Sequence, residues 1–320
     1  MIYLIALAIT ATAWALRYWW DGPQWQEEKA CYANPGVLTR GHLPVVRSTP
    51  DSERYLAIWR GEPQCWPFHA RFLLPWFCRD HTRWWHGATA GSLILTGPAL
   101  AGYALAHGLS PAHALACVVA FTGLWGCFGL LTLCPILVDA PALLVALCGA
   151  GLYLSTGSVV PLLVAGLLVG AIKETGPVWL ALFAWHPAAL VGLMVPITRY
   201  FVPHPGPDHD IVAHPVRSAM QYRRGTLFDG TMMLAPWGVG LLALLNPSPQ
   251  LWAALAFGYA QTLVASDVQR LVHVAAPVVL VHALAVVPEG WLPVVLALHL
   301  FNPWAVSPFE KQPVRLQGVP

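Results

Sequence analysis

The chain has 320 residues, 57% of them hydrophobic and 10% charged, with a net charge of +2 and a mean hydropathy of +0.58. An ordinary soluble domain is about 25% charged, so composition argues against a soluble globular protein, and the small net charge argues against nucleic-acid binding. Asp139 is the one charged residue among the 89 positions between Arg83 and Lys173. Apolar runs of ~18 or more residues read as membrane spans, and charges at their borders are where function is sought. The expectation is an all-α, polytopic helical membrane protein: a single domain over residues 1–320, with about 8–10 transmembrane helices and polar insertions at 21–86 and 197–230.

Residues 1–20 form the first apolar run. A signal peptide is the rival reading, but the n-region lacks a positive charge and the run ends in Arg17-Tyr-Trp-Trp rather than at small residues, so an uncleaved span is preferred. Residues 21–86 hold eight Lys/Arg and seven Asp/Glu. Within them Thr49 suits a helix cap, Pro50 the first helical position and Gly61 the end. Tyr55, Leu56, Ile58 and Trp59 give this stretch an apolar side for the membrane surface. Asp51 then sits in the first turn, as a functional carboxylate or as a complement to the helix dipole. Next, Arg71 lies alone in the aromatic stretch Pro67–Trp76. An unpaired buried guanidinium is costly, so Arg71 wants a carboxylate or a phosphate, or else snorkels to the headgroups.

Further spans are expected near 87–108, 112–134, 140–155, 159–172, 177–196, 231–246, 250–266, 271–288 and 290–304. Tryptophans such as Trp19, Trp84, Trp85, Trp291 and Trp304 cluster at span ends, as aromatic belts do. Asp139 reads either as an N-cap with Pro141 in the first turn or as a functional carboxylate. Gly166-x-x-x-Gly170 permits close helix approach. Lys173 and Glu174 end a span, and as helix neighbours they point to different partners. His204, Asp208, His209, Asp210 and His214 are interrupted by prolines and read as a solvated loop. Asp267 and Arg270 read as a local i, i+3 ion pair. Cys117, Cys127, Cys134 and Cys148 read as packing residues, while two of Cys31, Cys65 and Cys78 are able to pair in an oxidising compartment.

Orientation rests on basic residues. Loops beyond ~60 residues are discounted, which leaves 197–230 and the tail as the cytoplasmic segments. With ten spans, residues 21–86, Asp139, Lys173 and Glu174 then share the extracytoplasmic face, and Arg270 lies on the other; a re-entrant segment between 177 and 266 would reverse the side of Arg270. The eight basic residues of 21–86, taken at face value, argue the opposite sidedness.

The order of short motifs carries a resemblance. Asp51-Ser-Glu-Arg-Tyr55 is followed by Arg71-Phe-Leu-Leu-Pro75, Val138-Asp-Ala-Pro141, Lys173-Glu-Thr175 and Ser266-Asp-Val-Gln-Arg-Leu271. This order is similar to the bacterial GT-C-type superfamily of multispanning glycosyltransferases. The resemblance implies a polyprenyl-phosphate-linked sugar donor, an acceptor of unknown identity, and a site at the extracytoplasmic face of the bacterial inner membrane. It assigns Asp51 as catalytic base, with Asp139 positioning the acceptor or a divalent metal ion. Arg54, Tyr55, Arg71, Lys173, Glu174 and Arg270 become the substrate- and phosphate-binding set. Two departures stand out: many members pair acidic residues in the first loop, whereas Asp51 and Glu53 would not share a helix face, and the soluble C-terminal domain of many members has no counterpart in these 320 residues. The competing readings are a transporter or flippase of a lipid-linked or anionic solute, and a non-catalytic structural membrane protein.

Overall fold

The computed structural model describes residues 1–29, 50–62, 64, 67–79, 81–134, 136–202, 234–262 and 268–302, without the side chains of 20–29, 50–53, 82 and 268–269. Every regular element among them is helical. Three helices are long and apolar enough to cross a membrane: α1 (Ile2–Lys29, through its stretch up to Trp19), α4 (Thr82–Ala106) and α7 (Asp139–Thr156). Two bent pairs raise the number to five if each counts as one span. In the first, α5 (Pro111–Gly123) turns by 74° into a π-helical turn, Trp125–Gly129, and the short α6 (Leu130–Leu133); the second comprises α13 (Ala276–Ala285) and the segment Glu289–Leu300, bent by 115°. The remaining helices are shorter: α2 (Pro50–Trp59), α3 (Leu73–Cys78), α8 (Val160–Ile172), α9 (Gly176–Ala184), α10 (Met194–Tyr200), α11 (Pro249–Thr262), α12 (Val268–His273) and α14 (Leu292–Leu300). Two 3-10 segments, Pro187–Leu193 and Ala235–Leu245, join them. The described parts of the apolar stretches expected from the sequence are thus helical, but among the described residues three to five rather than eight to ten helices or bent pairs meet the length of a span.

The reason is that the apolar runs are broken and the breaks are patched by side chains. Gly238 takes φ +52° inside Ala235–Leu245, which interrupts the backbone ladder there. His299, fully buried, accepts the Val239 N–H on Nδ1 at 3.2 Å and, through Nε2, donates to the Ala120 carbonyl at 2.9 Å. His273 does the same between the π-helical turn and Pro236: Gly126 N–H donates to its Nδ1 at 3.1 Å, and its Nε2 donates to Pro236 O at 2.9 Å. Arg17 reaches from α1 to the Gly123 carbonyl at 3.3 Å, where α5 ends. Buried backbone groups must find partners, and these side chains supply them.

The bundle has two ends. At one, which we term the far end, Tyr103 Oη donates to Phe183 O at 2.9 Å and Gln250 Nε2 donates to the carbonyls of Leu182 and Phe183. Nearby, Ser110 bonds Glu289, and His113 Nε2 donates to Val287 O at 2.7 Å. At the other, the site end, Trp85 Nε1 donates to Arg79 O at 3.0 Å, Tyr18 lies edge-on to His86, and Arg199 Nη2 donates to His69 O at 3.4 Å.

That last bond corrects the sidedness expected from the span count. The stretch 177–196 is not one span. Helix α9 runs from the site end to Trp185 at the far end, and residues 187–200 return along α8 to Arg199 at the site end. The return is possible because the glycines of Gly166-x-x-x-Gly170 face Gly192: a Cβ on Gly192 would lie 2.0 Å from the Gly166 carbonyl oxygen, and one on Gly170 would lie 2.2 Å from Gly192 O. The expected close approach therefore occurs, against a 3-10 segment. Because the chain returns, the described helices after residue 200 are reversed relative to the count, and Arg270 comes to the same end as Arg71. Gly192→Ala forces backbone apart and is expected to destabilise the protein by roughly 1–3 kcal/mol, read as a lowered thermal unfolding midpoint in detergent; an unchanged midpoint would refute this packing.

Candidate functional site

Helix α2 begins at Pro50, as the sequence indicates, and part of its apolar side is turned to protein, while Ile58 and Trp59 stay half-buried. Tyr55, Leu56 and Ala57 are buried against protein. The Tyr55 ring sits between Trp85 (centroids 5.9 Å apart) and Phe68 (5.8 Å), and its hydroxyl accepts from Arg71 Nη1 at 2.7 Å. Arg71 then grips Glu174 through two parallel bonds, Nε to Oε2 at 2.5 Å and Nη2 to Oε1 at 2.6 Å. This is the forked guanidinium–carboxylate geometry that Arg favours. Two guanidiniums lie against the Phe68 ring, Arg54 at 4.4 Å and Arg71 at 4.8 Å from its centroid, contacts that the ring quadrupole favours.

A second pair lies beside the first. Asp139 is the first residue of α7, yet its side chain makes no capping bond. It accepts a short hydrogen bond from Lys173, where the chain leaves α8 in an extended conformation. The N-cap reading of Asp139 is thereby replaced by an ion pair. Arg270 of α12 brings Nη1 to 3.7 Å from the other Asp139 oxygen. Arg270 was expected on the opposite face with Asp267 as its partner; it lies at the site end instead, and Asp267 falls outside the described residues. Lys173 and Glu174 take different partners, as their adjacency requires. The network's side chains are between 5% and 19% exposed, Asp139 least and Arg270 most. Below it lies a small enclosed cavity lined by Asp139, Lys173, Trp179 and Phe183 among others, with room on the order of one water molecule.

Arg71, Asp139, Lys173, Glu174, Arg270 and Tyr55 thus converge, with Arg54 one ring away. Asp51 occupies the first turn of α2, four residues before Tyr55; its side chain lies outside the description, as do Thr49, Cys31, Cys65 and the cluster from His204 to His214. Cys78 is a free, buried thiol. No group of three potential metal ligands gathers among the described residues. Asp139, to which the resemblance gives the acceptor or a divalent ion, is already faced by Lys173 and Arg270, a cationic surround that does not fit a metal. Trp85, expected in an aromatic belt, is instead fully buried against Tyr55; sequence reasoning passed over Phe68, whose only signal was an aromatic-rich stretch, and His273 and His299, each a lone histidine in an apolar run.

Electrostatics differs between the pairs. Burial alone would push the Glu174 carboxyl up, but Arg71, with Lys173 behind it, holds it below its ordinary value of 4.5. The folded state therefore gains stability from this group above pH 4.5 and loses it as pH falls through the lower folded value. Glu174→Gln should flatten the acid limb of the stability profile while leaving its shape near neutrality; a variant with an unaltered acid limb would remove Glu174 from that role. For the deeper pair the test is a double substitution. Asp139→Ala strands Lys173 and should cost about 3–5 kcal/mol, whereas Asp139→Leu with Lys173→Met should recover most of that loss, measured by unfolding in detergent. If the double variant is as unstable as the single, the pair is held by more than its own desolvation balance.

No family model, characterised protein or solved structure matches the chain.

Proposed function

We propose that the chain is a polytopic membrane transferase that handles a lipid-linked phosphate at the site end, in the manner of GT-C-type glycosyltransferases. The observation that supports this reading most is the convergence of charge. Residues 71, 139, 173–174 and 270 come from four separate segments of an apolar chain, and their side chains meet in one network at one end. In this reading the donor is a polyprenyl-phosphate sugar and the acceptor a hydroxyl compound. Asp51 takes the acceptor proton as the acceptor oxygen bonds to the anomeric carbon. The bond from that carbon to the phosphate oxygen breaks, and the phosphate leaves with the electron pair. Arg71, Lys173 and Arg270 stabilise the charge that develops on it. The incoming phosphate competes with Glu174 for the Arg71 fork, and Tyr55 keeps the fork oriented through the exchange. Asp139 orients Lys173 toward the leaving group.

Release of polyprenyl phosphate from such a donor in proteoliposomes tests the assignment. Asp51→Asn should lower the rate by about 10²–10⁴-fold with no loss of folded protein. Full turnover in that variant would sink the role of Asp51, and no release by the unsubstituted protein would sink the transferase reading. A second reading is favoured by one observation: both described carboxylates of the network already have cation partners. That is what a non-catalytic membrane scaffold would show, and it requires Arg71→Ala and Lys173→Ala to act on stability alone.

A further inference from the structure

The two ends of the bundle differ in charge far more than in apolarity. The far-end turns, residues 106–111, 156–160, 184–187, 245–249 and 285–291, are all described, and they contain no Lys or Arg. Glu289 is their one charged side chain among Asp, Glu, Lys and Arg. Both ends carry exposed tryptophan: Trp185 and Trp291 at the far end, Trp76 and Trp84 at the site end. Only the site end pairs its rings with guanidiniums. Arg79 stacks on Trp59 at 4.9 Å and Arg199 on Phe72 at 5.1 Å, while Arg83 is exposed beside Trp84. Phe77, exposed, lies edge-on to Trp84 at 5.5 Å.

The remaining helix ends agree. Met1 opens α1 at the far end, since Tyr3 packs beside Gly102 near the end of α4. Helix α14 leads out at the site half: Asn302 donates to Ala235 O, one residue from the carbonyl that His273 holds. The discount for long loops does not rescue the opposite sidedness, because it spares basic residues within ~15–20 residues of a span. Arg71, Arg79 and Arg83 lie at or within about a dozen residues of the start of α4, and Lys173, Arg199 and Arg270 lie at helix ends themselves.

We infer that the site end faces the cytoplasm and is seated in the anionic leaflet there, with Met1 and the uncharged turns on the opposite side. Basic residues are retained on the cytoplasmic side during insertion, and an anionic surface attracts those beside it. The aromatic–guanidinium collar fits that partner, its rings at headgroup level and its cations on lipid phosphates. This sidedness is opposite to the one implied by the resemblance. It does not rest on the transferase reading; if both hold, the donor is drawn from the inner leaflet.

The test is thiol labelling in a bacterial expression host with a membrane-impermeant maleimide, scored over the unsubstituted chain. Ser158→Cys sits in the exposed far-end turn between α7 and α8, and Glu62→Cys at the exposed end of α2. The expected result is labelling of Ser158→Cys in intact cells, with Glu62→Cys labelled only in inverted vesicles. The reverse pattern overturns the inference. A green fluorescent protein fused after Pro320 gives a second reading that needs no substitution: it should fluoresce, because its fold matures in the cytoplasm, and a dark fusion in well-expressed protein counts against the assignment. Neither measurement depends on turnover, so failure of the transferase reading leaves this result unaffected.

Discussion

The constraint on which the rest depends is the cost of holding charge in an apolar surround. A carboxylate or ammonium taken out of water loses several kcal/mol even after relaxation. Asp139 and Lys173 are among the least exposed residues of the network, so each needs the other. Their contact requires α7 to begin at the level where α8 ends, and it requires a tight turn at the far end to bring α8 back. The Arg71–Glu174 pair adds a second tie from the first polar insertion to the residue next to Lys173. Arg270 adds a third from the C-terminal third of the chain. Fold and candidate site are therefore one construction: the loops that carry the charges are positioned by the pairing that makes those charges tolerable.

The same economy governs the backbone. Continuous helices satisfy their own N–H and C=O groups, but this chain breaks several of them. At Gly238 and at the π-helical turn, imidazoles bridge one segment's donor to another's acceptor. Both accept on Nδ1, which fixes the neutral form with its proton on Nε2. Through His273 the break near Pro236 is tied to α12, the helix that carries Arg270. A residue that touches no charge thereby helps to place one.

Much of this was legible in the sequence, for definable reasons. The single charge in a long apolar stretch marked Asp139, and the isolation of Arg71 announced a partner. The adjacency of Lys173 and Glu174 required two partners. Each inference used a local physical rule that holds whatever the topology. What the sequence left open was the path, a single crossing or a re-entrant segment between 177 and 266. A run such as 177–196 looks the same whether it crosses once or descends and returns, because hydropathy has no sign of direction. Gly192, which allows the return, is an unremarkable glycine until its neighbour is known. The side of Arg270 turned on that one reversal. The histidine bridges were hidden for a different reason: a buried neutral imidazole in an apolar run gives no periodic signal, and its two partners lie far off in sequence.

The helices are also unequal in a way that bears on the surrounding lipid. Helix α4, with 25 residues, is on the order of 37 Å long, whereas α8, with 13, is on the order of 20 Å, against a hydrocarbon core of about 30 Å. Segments such as α9, α13 and α14 are shorter still. In a bilayer of that thickness α4 would match or exceed the core, while α8 and the shorter segments would not reach across it alone. No single bilayer thickness would then suit every helix of the bundle, and the mismatch would differ from one helix to the next.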